Sequence, residues 1–166
     1  IALDEMVRRI NASISEMGLA GMNWPRPPSV PESARELDGK RVTMVDDSDM
    51  LLKLYVPHLM VATNGLARGV YHREQDVLTL AETIAVGRPE VVLIDYTLSA
   101  GVRGDALVRA LRPLCPDALL IGFSGEPDRE ADFLAAGASG FVYKEPKSVG
   151  DIVGRLGETV ARIRQQ

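Results

Sequence analysis

"VTMVDDSDM", Val42 to Met50, begins as a buried strand and runs directly into two adjacent acids, Asp46 and Asp47. Outward from it, similar short apolar runs recur: "RVTMVD" (41–46), "GVYHRE" (69–74), "EVVLID" (90–95), "ALLIGF" (118–123) and "GFVYK" (140–144). Stretches with helical periodicity separate them, at about 49–63, 76–86, 104–112, 128–136 and 148–164. Alternating β and α, with strands apolar throughout rather than at every second residue, predicts a parallel sheet covered on both faces. The expected class is a doubly wound α/β domain. In such sheets, sites form at the carboxyl ends of the strands.

Those ends carry an unusual set of groups. The first strand ends in Asp46 and Asp47, the third in Asp95, the fourth in Ser124 and the fifth in Lys144. Each alone has an ordinary reading: a helix N-cap for aspartate, a turn for serine, solvent for lysine. Together they point to one cleft. Two carboxylates about 4 Å apart repel by roughly 4 kcal/mol at an effective dielectric near 20, and a third adds to it. One ammonium is insufficient for three acids, so a divalent cation is the natural complement. Hard oxygen ligands suit Mg2+. Such a set is assembled for a phosphoryl group: Asp95 as nucleophile, the cation and Lys144 neutralising oxygens, Ser124 donating a hydrogen bond.

From residue 40 onward the sequence resembles the receiver domains of two-component response regulators, the single-domain chemotaxis type included. "VDDSDM" is similar to that family's acidic pair, with Asp47 the more direct cation ligand and Asp46 acting partly through water. The resemblance implies that Asp95 is the phosphoacceptor and that the backbone carbonyl of Thr97 is a third protein ligand of Mg2+. It implies that Ser124 and Lys144 bind the phosphoryl group, and that Ser124 and Phe141 form the switch. Thr97 and Glu126 fall where the phosphorylated lifetime is tuned. The implied fold is flavodoxin-like, a five-stranded parallel sheet in order 2-1-3-4-5. The implied phosphodonor is a histidine kinase or a histidine phosphotransfer protein, and the output is a reshaped face on the last helix-strand-helix unit, read by a downstream protein.

Four departures from the family pattern stand out. In "YTLSAGVRGD" after Asp95, Ser99 replaces the usual proline and an extra residue suggests a more mobile loop. The usual Lys-Pro is Lys144-Glu145-Pro146, which shifts the expected cis bond to Glu145–Pro146. Pro57 lies within the helix after the acidic pair, where it costs roughly 3 kcal/mol unless the helix kinks or ends. Gly150, Gly154 and Gly157 each weaken the last helix by about 1 kcal/mol relative to alanine.

Ahead of the α/β part, residues 1–39 read as an amphipathic helix and a proline-rich linker, and residues 40–166 as the receiver-like domain. Leu3, Met6, Val7, Ile10, Ile14 and Met17 form an apolar stripe. It either docks on its own domain, pairs between two chains, or ends an upstream domain. The linker holds four prolines between Pro25 and Pro31.

The 166 residues, 46% of them hydrophobic, suffice for a sizeable core. A net charge of −4 with scattered cations gives no support for direct nucleic-acid binding. The absence of a signal-like or spanning segment leads to the expectation of no membrane contact and a cytoplasmic location. A lone cysteine, Cys115, with only His58 and His72 beside it, excludes a zinc-type cluster. A haloacid-dehalogenase-type phosphatase uses similar groups, but there the nucleophile precedes the acidic pair, whereas Asp95 follows it. The absence of histidine after Ser124 excludes a Ser-His hydrolase. The expectation is a phosphoacceptor signalling domain and not an enzyme in the ordinary sense. The remaining alternative is a non-switching receiver that serves as a docking module. Output through a separate protein, a homodimer or the amino-terminal helix all stay open.

Overall fold

The computed structural model describes residues 1–19, 23–145 and 147–166. Five strands, β1 (Val42–Asp46), β2 (Ala67–Tyr71), β3 (Val91–Asp95), β4 (Leu119–Ser124) and β5 (Gly140–Tyr143), pair in parallel in the order β2-β1-β3-β4-β5. Parallel neighbours cannot be joined by tight hairpins, so a helix crosses over between successive strands. These are α2 (Asp49–Ala62), α3 (Val77–Val86), α4 (Gly104–Leu111) and α5 (Arg129–Ala135), with α6 (Val149–Arg164) after β5. Side-chain oxygens start three of these five helices. Ser48 accepts from the Leu51 amide, Asp76 from Thr79 and Ser148 from Asp151.

The pleat divides the interior in two. Val42, Met44, Val91, Leu93, Ile121, Phe123 and Val142 face α2 and α6, whereas Val45, Val92, Ile94 and Leu120 face α3, α4 and α5. Every strand end therefore reaches the same edge of a sheet buried on both sides.

One local expectation needs correction. The second strand lies at Ala67–Tyr71 and not at 69–74, because Asn64 (φ 59°) and Gly65 (φ 93°) reverse the chain directly after α2. His72, Arg73 and Glu74 lie beyond the strand, although the His72 amide still donates to the Asp46 carbonyl at 2.9 Å. Pro57 does not end α2, which continues to Ala62 with the proline ring buried.

The amino-terminal stripe is buried on its own chain. In α1 (Leu3–Glu16), Met6, Ile10 and Ile14 join the core on the α2 side, while Leu3 stays exposed. α1 lies along α2 and reaches β2. Gly69 permits this approach: a Cβ there would come within 2.3 Å of Met17 Sδ. Farther along, Asn11 clasps the backbone of Trp24, accepting from its N–H at 2.9 Å and donating to its carbonyl at 3.2 Å. The chain then forms a 3-10 helix, Glu32–Leu37, against α6.

The α6 glycines, read as weaknesses in the sequence, seat this segment. A Cβ at Gly154 would meet Ser33 Oγ at 2.4 Å, and one at Gly157 would meet the Ser33 carbonyl at 2.5 Å and Ala34 Cα at 2.7 Å. At Gly150 the nearest atom would be 3.4 Å away, an ordinary contact. The two sites should therefore respond with opposite sign. Gly157→Ala is expected to lower unfolding free energy in urea by about 1–3 kcal/mol through overpacking, and Gly150→Ala to raise it by up to about 1 kcal/mol through helix propensity. Equal effects at both positions would refute the seating role.

Candidate functional site

Asp46 and Asp95 continue the alternation of the residues before them, so both carboxylates lie on the α2 and α6 side of the sheet. Lys144, two residues beyond Val142, does the same. One carboxylate oxygen from each of Asp46, Asp47 and Asp95 lies within 4.8 Å of the other two. Lys144 Nζ donates to Asp95 Oδ1 at 3.2 Å. Four of the five groups singled out at the strand ends thus converge. The fifth, Ser124, is buried at the end of β4, one residue past Phe123, which pairs in register with Asp95. Its Oγ accepts the Glu126 N–H at 3.1 Å, leaving the hydroxyl proton free to be donated elsewhere.

The floor of the site is aromatic. Lys144 Nζ sits 4.7 Å from the centre of the Phe123 ring, and Tyr55 packs edge-on against the same ring at 5.5 Å. This floor, rather than the acids alone, sets the electrostatics. Asp46 is fully buried: its Oδ1 accepts the Ser48 N–H at 2.9 Å, whereas its Oδ2 has no hydrogen-bond partner. Burial first, and then the Asp95 charge, push the Asp46 carboxyl up to about 7. Asp95 is also raised, chiefly by burial, with Lys144 opposing. The Tyr55 hydroxyl, buried and facing Asp46, is pushed up to about 12.

An orphaned buried carboxylate oxygen beside two further acids is the donor chemistry of a hard divalent cation. The loop after β3 leaves one more oxygen available. Thr97 pairs with Arg103, but the bonds of that bridge run from Leu98 N to Val102 O (3.0 Å) and from Gly104 N to Tyr96 O (2.6 Å). The Thr97 carbonyl is thus outside the pair. Loop mobility, expected from the extra residue, meets a loop that is closed on itself. Ala100 (φ 56°) and Gly101 (φ 74°) make its turn, and Val102 N bonds back to Ser99 O at 3.1 Å.

The remaining named residues lie farther out. Phe141 is half-buried, its ring 6.0 Å from Phe133, which in turn meets Tyr96 edge-on at 5.7 Å. Phe133 fits because Gly122 and Gly104 carry no Cβ; one at Gly122 would stand 2.3 Å from the ring. Glu126 points outward, with Arg129 Nε 3.2 Å from Oε2 but without hydrogen-bond alignment. The guanidinium of Arg129 also covers the Tyr96 ring at 4.2 Å. Lys144–Glu145 is trans, as is every described peptide bond, and the Glu145–Pro146 expectation falls outside the described residues. Sequence reasoning assigned nothing to Tyr55, Phe123 or Tyr96. Phe123 had a visible signal, being the last apolar residue before Ser124, whereas the approach of Tyr55 from α2 had none.

The raised Asp46 implies a definite pH dependence. An acid at about 7 when folded, against 3.8 in the reference state, stays protonated in the folded chain after the unfolded one has ionised. Its contribution to stability is full below pH about 4, declines as pH rises, and is gone above about 7. Without divalent cations, Asp46→Asn should therefore melt higher than the parent at pH 8 and close to it at pH 4. A parent curve that shows no such decline relative to Asp46→Asn would contradict the burial argument.

No protein-family model matches the sequence, and neither does any curated protein. Solved structures do match. The BeF3-activated receiver domain of DrrB, a Thermotoga maritima OmpR/PhoB homologue, superposes with a TM-score of 0.56 at 19% identity, over 76% of this chain and 98% of that one. A two-component response regulator/GGDEF domain protein gives 0.62 at 21% identity, over 79% of this chain and 52% of that one. This chain thus spans about half the length of that protein. A Burkholderia pseudomallei response regulator, solved with a phosphorylated aspartic acid, a calcium ion and citrate, gives 0.58 at 20% identity, over 76% of this chain and 71% of that one. With the strand order and the carboxylate cluster at the strand ends, these matches give the chain the fold of response-regulator receiver domains.

Proposed function

We propose that the chain is a phosphorylation-dependent switch of two-component signalling, with Asp95 as phosphoacceptor. The observation that carries this reading is the cluster of Asp46, Asp47 and Asp95 with Lys144 on the Asp95 carboxylate. The Burkholderia neighbour, which holds both a phosphorylated aspartic acid and a divalent cation, supports it. Asp46, Asp47, Asp95 and the Thr97 carbonyl would hold Mg2+. Bound there, the cation supplies the positive charge that three acids lack and that a phosphoryl group needs.

The residues then divide the task. A carboxylate oxygen of Asp95 attacks phosphorus as the bond from phosphorus to the donor imidazole breaks; with a proton on its other ring nitrogen, the imidazole takes the bonding pair and leaves neutral. Lys144, already on Asp95, neutralises a phosphoryl oxygen. Ser124 turns its free hydroxyl proton toward the phosphoryl group, drawing the end of β4 inward. Phe141 follows because its ring packs on Phe133, which is wedged over Gly122 of the same strand. Thr97 and Glu126, at the exposed rim, tune how readily water removes the phosphoryl group. The donor is a histidine kinase or histidine phosphotransfer protein, and the recipient of the signal a further protein or a second copy of the chain. Among the described residues no helix is long and apolar enough to cross a membrane. Residues 1–39 act as a wrap on the domain formed by residues 40–166.

Incubation with a small acyl phosphate and Mg2+ should add one phosphoryl group, observed by intact mass. Chelation or Asp95→Asn should abolish the label, and Lys144→Ala should slow it by about 100-fold. Label that persists in Asp95→Asn, or none in the parent, would defeat the proposal. Beryllofluoride with Mg2+ should alter the hydrodynamic mass or shape. Labelling without any such change would favour the docking module.

A further inference from the structure

Ser99 stands where the resembling family usually has proline, and the structure uses both groups that proline lacks. Its N–H donates to His72 Nδ1 at 3.1 Å, and its hydroxyl donates to Asp47 Oδ2 at 3.2 Å. His72 is fully buried, with Nε2 2.7 Å from the Gln75 carbonyl. A backbone N–H can only donate, so Nδ1 accepts and Nε2 carries the proton; the hydrogen-bond network thereby assigns one neutral tautomer. Gln75 is fixed in turn, its Oε1 accepting the amides of Arg73 and Glu74 at 3.0 and 3.2 Å. The His72 amide also holds the Asp46 carbonyl. The imidazole is therefore a strut between the end of β2 and the loop after β3.

We propose that Ser99 is a positioning residue of the cation site, presetting the Asp47 carboxylate for a divalent cation, and that His72 is the buried strut that places Ser99. The inference rests on the receiver reading of the same cluster. Asp47 is half-buried at the rim, where its carboxylate would otherwise sample several rotamers. A hydrogen bond from a fixed donor removes that freedom before the cation arrives. The neutrality of the donor matters. A lysine or arginine at Ser99 would hold Asp47 equally well but would cancel charge that the cation requires, whereas a hydroxyl orients the acid and leaves its charge intact. The donor is itself held by a backbone bond and a closed loop turn, so it does not drift with side-chain fluctuation alone.

Titration of the full chain with MgCl2 by calorimetry, and the Mg2+-induced rise in Tm, test this without reference to phosphorylation. Ser99→Ala is expected to raise the Mg2+ dissociation constant by about 10-fold and to shrink the Mg2+-induced rise in Tm, while the metal-free Tm stays at the parent value. Ser99→Thr keeps a hydroxyl and should remain within about 3-fold of the parent. His72→Asn, whose Oδ1 occupies the place of Nδ1, should do the same, within about 3-fold. Parent-like or tighter Mg2+ binding by Ser99→Ala overturns the positioning role and leaves the receiver reading intact. Absence of Mg2+ binding in the parent overturns both.

Discussion

Three carboxylates at the edge of one sheet face a single ammonium, over a floor made by Phe123 and Tyr55. That imbalance organises the molecule. In water, the repulsion among Asp46, Asp47 and Asp95 would be screened to about 1 kcal/mol per pair. Against an aromatic floor burial is added to it, and Asp46, raised first by burial and then by the Asp95 charge and left with an unpartnered Oδ2, carries the cost. A chain can keep such a cluster only if the surrounding structure holds it by other means. Here the means are five parallel strands, the inner three with apolar interiors, which deliver their last residues to one edge whatever those residues are. The stability resides in Val, Ile and Leu, and the charge is carried by their termini.

The separation of stability from chemistry explains what could be read from the sequence. Strands buried on both faces are apolar at nearly every position, so β1, β3 and β4 were visible within a residue of their true limits, and β5, although at an edge, was visible through its own apolar run. β2 was not, because it is an edge strand with Arg68 and Gly69 inside it, and its start is set by the Asn64–Gly65 turn rather than by its own pattern. The acids and Lys144, each ordinary alone, were legible because they recur together at the ends of the strands. Tyr55 and His72 were not, since a tyrosine in α2 or a histidine after β2 has the same local pattern whether or not it points at the site. The wrap of residues 1–39 was half legible. Spacing gave the stripe of α1, but its docking surface depends on glycines far along the chain.

Those glycines show how one residue type serves two different demands. Within α6, Gly154 and Gly157 weaken the helix in isolation, by about 1 kcal/mol each. In the fold Gly157 lets the backbone of residues 33 and 34 lie directly on the helix, and Gly154 makes room for the Ser33 side chain and the Pro31 ring. Gly69 does the same for Met17 against β2, and Gly122 for Phe133 over β4. In each case the missing Cβ lets another segment close on the sheet or on a helix beside it. Local propensity is sacrificed where a tertiary contact needs the space.

The wrap also bears on how motion at the site would travel. Lys144 reaches Asp95, and the next residue, Glu145, takes Arg155 of α6 into an ion pair at 3.0 Å. From the next turns of α6, Gly154 and Gly157 seat Ser33 and Ala34. At Gly157 the contact is backbone against backbone, so it has no flexible side chain to absorb a displacement. A half-exposed ion pair such as Glu145 with Arg155 contributes little energy, but it does not need to, because β5 and α6 are already covalently continuous. Under the proposed phosphorylation of Asp95, a shift of Lys144 toward the phosphoryl group would therefore move α6 only together with the 3-10 helix Glu32–Leu37.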